Sequence, residues 1–198
     1  MTATDEDLRQ AMTEGATLGT LLQALDKAGA EPAADLREGL YGPSVAVFGA
    51  GGTYRYLLTR RWAPGPVMTW VMLNPSTADA WTDDPTIARC WRRAKAAGFG
   101  SIAVVNLFAL VATDPGELDG HPDPVGPGND ACLAVMCQPG GAVVAGWGSH
   151  GAGSGRAGEV TRSLAGVRFQ CLGTTAKGQP RHPGRLAYST NLTPWEPA

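Results

Sequence analysis

Asn74, Asp79, Asp83, Asp84 and His182 are the residues of this 198-residue chain whose types and spacing could do chemistry. The first four belong to one stretch, Thr69-Trp-Val-Met-Leu-Asn-Pro-Ser-Thr-Ala-Asp79 followed by Trp81-Thr-Asp-Asp-Pro-Thr86. His182 lies far along the chain, beside Arg181 in a loop bounded by prolines, a pair that apolar packing would not select. An amide and several carboxylates opposite a histidine could orient a water, steady a developing cation and place a donor where negative charge appears. Each residue also has a plainer reading. Asn74 could cap a strand end, Asp84 is well placed as a helix cap, and Asp79 and Asp83 could be solvated loop acids.

The elements that must position these residues can be read from periodicity. Trp70 to Leu73 is an apolar run that predicts a buried strand, and Pro75 ends it by removing a ladder donor and pushing Asn74 out of the helical region. Asp84-Pro85 predicts a helix start, Ile87, Cys90, Trp91 and Ala94 give its inward face, and Gly98 its stop. Ser101 to Phe108 is the next strand, with Asn106 near its end, so strand, helix and strand form a βαβ unit with parallel, adjacent strands. Asn129 or Asp130 is expected to cap a helix from Ala131 to Cys137. Ala142 to Gly146 predicts a third strand running into Trp147-Gly148, Ser154 to Leu164 a helix, and Arg168 to Leu172 a fourth strand. The long loop carrying Lys177, Arg181 and His182 follows.

Upstream, Ser44 to Gly49 and Tyr54 to Leu58 flank Ala50-Gly-Gly-Thr53, a hairpin signal rather than a phosphate loop, since no lysine or helix follows it. Asp5 to Ala30 reads as helix, broken near Gly15 and Gly19, with Leu18, Leu21, Leu22 and Leu25 on one face. A polar, proline-containing connector leads from it to Tyr41. The expected architecture is a three-layer α/β/α protein with a mostly parallel central sheet of about four strands. An N-terminal helical extension (1–40) and a β-hairpin are added to a single α/β domain (41–198). Polar residues end all four strands and would gather along one edge of the sheet, where α/β proteins bind ligands.

Composition narrows the function. The apolar fraction is 43%, the charged fraction only 17%, and the 27 Gly and 15 Pro are spread along the chain. A formal charge of -2 argues against a large basic surface for duplex nucleic acid, though not against a small basic site. Four cysteines match no zinc or cluster spacing and make no disulfide scaffold, so buried reduced thiols are expected and no metal or cofactor is implied. No apolar run reaches membrane length, and acids at Asp5, Glu6 and Asp7 stand where a signal peptide is basic, so the expected location is the cytoplasm.

The order of the motifs resembles a known family. Tyr54-Arg-Tyr-Leu-Leu, Leu73-Asn-Pro-Ser-Thr-Ala-Asp, Asp83-Asp-Pro-Thr, Val105-Asn-Leu-Phe-Ala, Ala112-Thr-Asp-Pro, Gly146-Trp-Gly and Pro180-Arg-His-Pro together resemble the domain-of-unknown-function family numbered 1643, over residues 54 to 195. Gly184-Arg185 departs from the Leu-Tyr expected there. More distantly, strand–Asn-Pro, strand–Asn, strand–Trp-Gly and loop–His-Pro look like the uracil-DNA glycosylase superfamily. That resemblance implies that Asn74 holds an attacking water and that His182 stabilises a departing base. The serine after the superfamily's His-Pro is replaced by Gly184.

The expectation is therefore a glycosylase-like domain hydrolysing an N-glycosidic bond in a nucleoside, a nucleotide or single-stranded or flipped nucleic acid. Asn74, Asp83 and His182 would be catalytic. Pro75, Ser76, Asp79, Trp81, Asp84, Asn106, Trp147, Lys177 and Arg181 would bind substrate, with the two tryptophans available to stack on a base. The rivals are a non-catalytic nucleotide- or nucleic-acid-binding module of the same fold, and a hydrolase or transferase acting on an unrelated small molecule.

Overall fold

The computed structural model describes residues 18–39, 42–76, 84–152 and 155–197. Its centre is the pair of strands β4 (Val67–Met72) and β5 (Ser101–Asn106), joined by helix α2 (Pro85–Ala96) and paired in parallel from Val67↔Ser101 to Met72↔Asn106. All of β5, and β4 after Val67, is buried, as expected of strands covered on both faces. Alternation then divides the core. Met68, Trp70 and Met72 pack with Ile87, Cys90 and Ala94 of α2, whereas Val71 and Val105 point to the opposite face. On that face lie helices α1 (Leu18–Lys27), α4 (Asn129–Met136) and α5 (Arg156–Ser163), burying Leu21, Leu25, Leu133 and Val160.

The helix start at Asp84 forms as its residue types dictate. Oδ1 of Asp84 accepts from the backbone N–H of Thr86 at 2.7 Å and of Ile87 at 2.8 Å, and Pro85 occupies the first helical position. α4 starts differently from expectation, since Gly128 occupies the cap position without a side-chain bond. Asn129 instead turns inward, and its Nδ2 donates to the carbonyls of Asn106 at 3.0 Å and Leu107 at 2.8 Å, bracing the end of β5.

The expected sheet requires correction. It has eight strands in the order β1-β2-β3-β5-β4-β6-β7-β8 and is mixed, not a mostly parallel sheet of about four. Parallel pairing joins β5, β4, β6 (Ala142–Ala145) and β7 (Phe169–Cys171). The remaining strands, β1 (Ala33–Gly39), β2 (Gly42–Phe48), β3 (Arg55–Arg61) and β8 (Thr193–Trp195), all pair antiparallel. The hairpin β2–β3 forms as read, but β3 hydrogen-bonds to β5 and so extends the central sheet instead of lying apart from it. β1 was concealed by Asp35, Arg37 and Glu38, charges that an edge strand can leave in water. β8 was concealed by its length and by Pro194, a residue that only an edge tolerates well.

Connectivity fixes where a ligand can enter. The chain leaves β4 toward β5 on one side and leaves β6 toward β7 on the other, while β4 and β6 are neighbours. The crevice beyond the carboxyl ends of β4 and β6 is thus a topological switch point.

Candidate functional site

Two loops flank that crevice. β4 ends in Leu73-Asn74-Pro75, and the two hydrogens of the Asn74 amide are both taken, Nδ2 donating to the carbonyls of Pro75 at 2.9 Å and Ala112 at 2.8 Å. Carbonyls can only accept, so they fix the amide's orientation. Oδ1 of Asn74 then has no partner among the described residues and is open to a ligand or water. Pro75 lies behind this arrangement, its carbonyl also accepting from the N–H of Ala112 at 3.0 Å.

β6 ends in Gly146-Trp147-Gly148, and this segment is what brings His182 to the crevice. The N–H of Gly148, whose φ is +74°, donates to the carbonyl of Pro180 at 2.9 Å. The indole N–H of Trp147 donates to Oε1 of Gln179 at 2.8 Å, and that of Trp195 donates to the carbonyl of Gly178 at 3.1 Å. A Cβ at Gly146 would meet Sδ of Met72 at 3.0 Å and Cδ of Pro183 at 3.4 Å, so only glycine lets the His182 loop come this close.

At the end of that loop Nδ1 of His182 accepts from the N–H of Gly184 at 3.1 Å. An imidazole that accepts at Nδ1 carries its proton on Nε2, which makes Nε2 the donor. Burial lowers the pKa of His182 below the ordinary 6.5, and the nearby Asp84 carboxylate pulls the other way. The ring is therefore held neutral at pH 7.

Together these elements enclose a cavity of about 420 Å³. Of the residues singled out by sequence, Asn74, Ser76, Asp84, Asn106, Trp147 and His182 line it. Asn106, 2% exposed at the end of β5, lines the cavity as well. Asp84 serves two roles. Its Oδ1 caps α2, while its other oxygen makes no hydrogen bond among the described residues and borders the cavity.

Trp147, although it lines the cavity, and the remaining expected residues are placed otherwise. Trp147 is a core anchor, 1% exposed and packed edge-on against Trp195 with centroids 5.3 Å apart, so its face is not open to a base. Lys177 lines an adjoining cavity of about 720 Å³, which shares Leu73, Pro115, Ser149 and His150 with the first, and Arg181 is exposed outside both. Asp79, Trp81 and Asp83 lie outside the described residues.

Sequence reading passed over Arg55, Thr113, Ser149, His150 and Arg185, which also line the cavity. Arg55 is the most telling, a 3%-exposed guanidinium on β3 whose Nη1 donates to the carbonyl of Ser76 at 3.4 Å. An arginine inside the run Tyr54-Arg-Tyr-Leu-Leu was the available signal, since a buried charge must face a partner or a ligand.

Among the described residues no three of His, Cys, Asp and Glu converge as a metal site requires. All four cysteines are buried and unbonded, and burial pushes the thiol of Cys137 up to about 12 and raises those of Cys90 and Cys132, which removes them as nucleophiles. No helix among the described residues is long and apolar enough to cross a membrane.

The electrostatics yield a direct prediction. Asp84→Asn keeps the helix cap, because asparagine caps as well as aspartate, but removes the charge that raises the His182 pKa. The His182 midpoint followed by NMR then moves further down; an upward move would contradict this placement of Asp84. Because the folded-state pKa is depressed, the histidine's contribution to stability is present above about pH 6.5 and is lost as the pH falls through the folded-state value.

Fold and site define the class: an α/β protein with a mixed sheet and a polar cavity at its switch point. The chain belongs to the family described as Protein of unknown function (DUF1643), whose model matches residues 55–184. No curated protein matches the chain. Among solved structures, acetyl xylan esterase 1 from Thermoanaerobacterium sp. JW/SL YS485 is similar at 14% identity with a TM-score of 0.38. That similarity covers 85% of this chain and 62% of the esterase chain, so this chain spans less than two thirds of the esterase's length.

Proposed function

We propose that this protein hydrolyses an N-glycosidic bond in a nucleobase-containing substrate bound in the 420 Å³ cavity. One observation carries the reading. Asn74 and His182 line the same cavity with opposite and fixed hydrogen-bonding polarity, Asn74 presenting an acceptor and His182 a neutral donor. Glycosidic hydrolysis needs that asymmetry. Oδ1 of Asn74 holds the water by accepting a hydrogen bond from it. The C–N bond breaks, its electron pair stays on the base, and the N–H of His182 stabilises the resulting anion. The water oxygen bonds to the sugar carbon, its proton passes to the free oxygen of Asp84, and the base takes a proton from solvent. The Asp84 carboxylate also steadies the oxocarbenium-like sugar.

Two further features support the same class of substrate. The Asn106 amide on the cavity lining carries both a donor and an acceptor, which suits the donor–acceptor edge of a base. The resemblance of Leu73-Asn-Pro-Ser76 and His182-Pro183 to motifs of the uracil-DNA glycosylase superfamily points the same way.

The test is free-base release, measured by chromatography, from a panel of nucleosides, nucleotides and base-modified oligonucleotides. Release from at least one member at a rate above the protein-free control is expected. Release from none, with binding retained, would leave a non-catalytic binding module in its place.

A further inference from the structure

The chain carries a net charge of -2, yet one face of it gathers cations. α2 bears Arg89, Arg92, Arg93 and Lys95 and no carboxylate, and the segment from Pro183 to Trp195 that packs beside it bears Arg185 and no carboxylate. Three of these guanidiniums converge on one aromatic ring. The Cζ atoms of Arg89, Arg92 and Arg93 lie 5.2, 5.8 and 5.5 Å from the centroid of Tyr188. None of the three has an ion-pair partner among the described residues. Like charges crowded this closely are repelled unless an anion joins them.

Their hydrogen bonds separate a structural arginine from two available ones. Arg93 is 8% exposed and is spent on the backbone, donating to the carbonyls of Leu186, Ala187, Tyr188 and Thr190 at 2.7–3.4 Å. It holds the Tyr188 loop on α2. Arg89 gives one bond to the carbonyl of Leu186, and Arg92 is exposed with only the hydroxyl of Tyr188 at 3.4 Å. Tyr188 itself is 48% exposed and forms one wall of a cavity of about 400 Å³, with Leu172, Leu192 and Ala96 as apolar lining and Asn191 and Thr190 as polar rim. An aromatic wall beside unpaired guanidiniums suits a planar base on a phosphate.

The two cavities are linked by α2. Ile87 lines the glycosidic cavity and Ala96 the Tyr188 cavity, a separation of about 14 Å along a helix rising 1.5 Å per residue. Arg185 stands on the wall of the first cavity, and Arg89 and Arg92 lie on α2 between the ends.

We infer that the face formed by α2 and the Tyr188 loop is a track for single-stranded nucleic acid. Arg89 and Arg92 contact its phosphates, Tyr188 stacks on one base, and the strand leads to the cavity holding Asn74 and His182. The inference rests on the glycosidic reading only for what the strand does at the far end. Binding itself can be measured without any base release.

The experiment is fluorescence anisotropy with a labelled single-stranded oligothymidine, a labelled duplex and a poly-glutamate of matched charge. The wild type is compared with Arg92→Glu and Tyr188→Leu, their folding checked by circular dichroism. Single strands are expected to bind more tightly than duplex, with an affinity falling steeply between about 50 and 200 mM salt. Arg92→Glu is expected to weaken single-strand binding at least about tenfold by reversing a phosphate contact, and Tyr188→Leu by about 5- to 100-fold through lost stacking. Equal binding by wild type and both variants overturns the track, as does poly-glutamate binding as tightly as the oligonucleotide. Absence of base release with these binding shifts intact overturns the glycosidic reading and leaves the track standing.

Discussion

Under the proposed hydrolysis, His182→Ala is expected to release base about 10²- to 10³-fold more slowly than the wild type, the scale on which loss of one donor to a developing anion is felt. The deficit falls in kcat, with KM little changed, because the donor matters most when the C–N electrons reach the base. His182→Gln, which keeps an N–H on a side chain of similar reach, recovers part of the rate. The wild-type rate is expected to be flat above neutrality and to fall in acid as the imidazole protonates and its Nδ1 bond to Gly184 is lost. Asn74→Ala loses a comparable factor by releasing the water. Asn74→Asp is informative for another reason: a carboxylate has no hydrogens for the carbonyls of Pro75 and Ala112, so the isosteric change disturbs the loop as well as the chemistry. Rates of His182→Ala and Asn74→Ala equal to wild type on a substrate that the wild type cleaves would remove both residues from the mechanism.

The largest effect on stability is expected at Trp70, which is fully buried in the central strand β4 beneath Gly146. Trp70→Ala costs about 3–5 kcal/mol, since the indole leaves a void between α2 and the sheet that neighbouring side chains cannot fill. Against a typical total of about 5–15 kcal/mol this removes a large fraction of the folding free energy. Trp70→Phe behaves otherwise. The indole Nε1 of Trp70 is buried with no hydrogen-bond partner, so the smaller ring sheds an unsatisfied donor as it loses contact area. A cost of about 1 kcal/mol or less is expected for it. Urea denaturation of both variants measures the difference; equal destabilisation would show that the unpaired N–H carries no penalty here.

How far the sequence discloses this molecule depends on how much of each element is buried. β4, β5, β6 and β7 announce themselves because both faces need apolar residues, and Asp84-Pro85 announces α2 because the helix start uses those two side chains directly. β1 and β8 stay hidden because an edge strand accepts charge and proline, and the eight-stranded mixed sheet was therefore expected as a mostly parallel one of about four strands. The same principle holds in the site. Asn74 and His182 stand out as polar residues beside prolines. Arg55 reads as a strand arginine until β3 is known to lie against β5, which turns its side chain toward Ser76 and the cavity. Trp147 was misleading in the opposite sense, since its flanking glycines signal close packing around the indole and not an open stacking face.

The bonds that seat the His182 loop also set an order of assembly. Gly148 to Pro180, Trp147 to Gln179 and Trp195 to Gly178 all join parts of the last third of the chain, whereas Asn74 is clamped by Pro75 and Ala112. A chain made from its N-terminus supplies the two halves at different times. A nascent chain that has not yet delivered Trp195 can thus hold the water acceptor in place while lacking the seated donor. During synthesis the site matures from one wall to two.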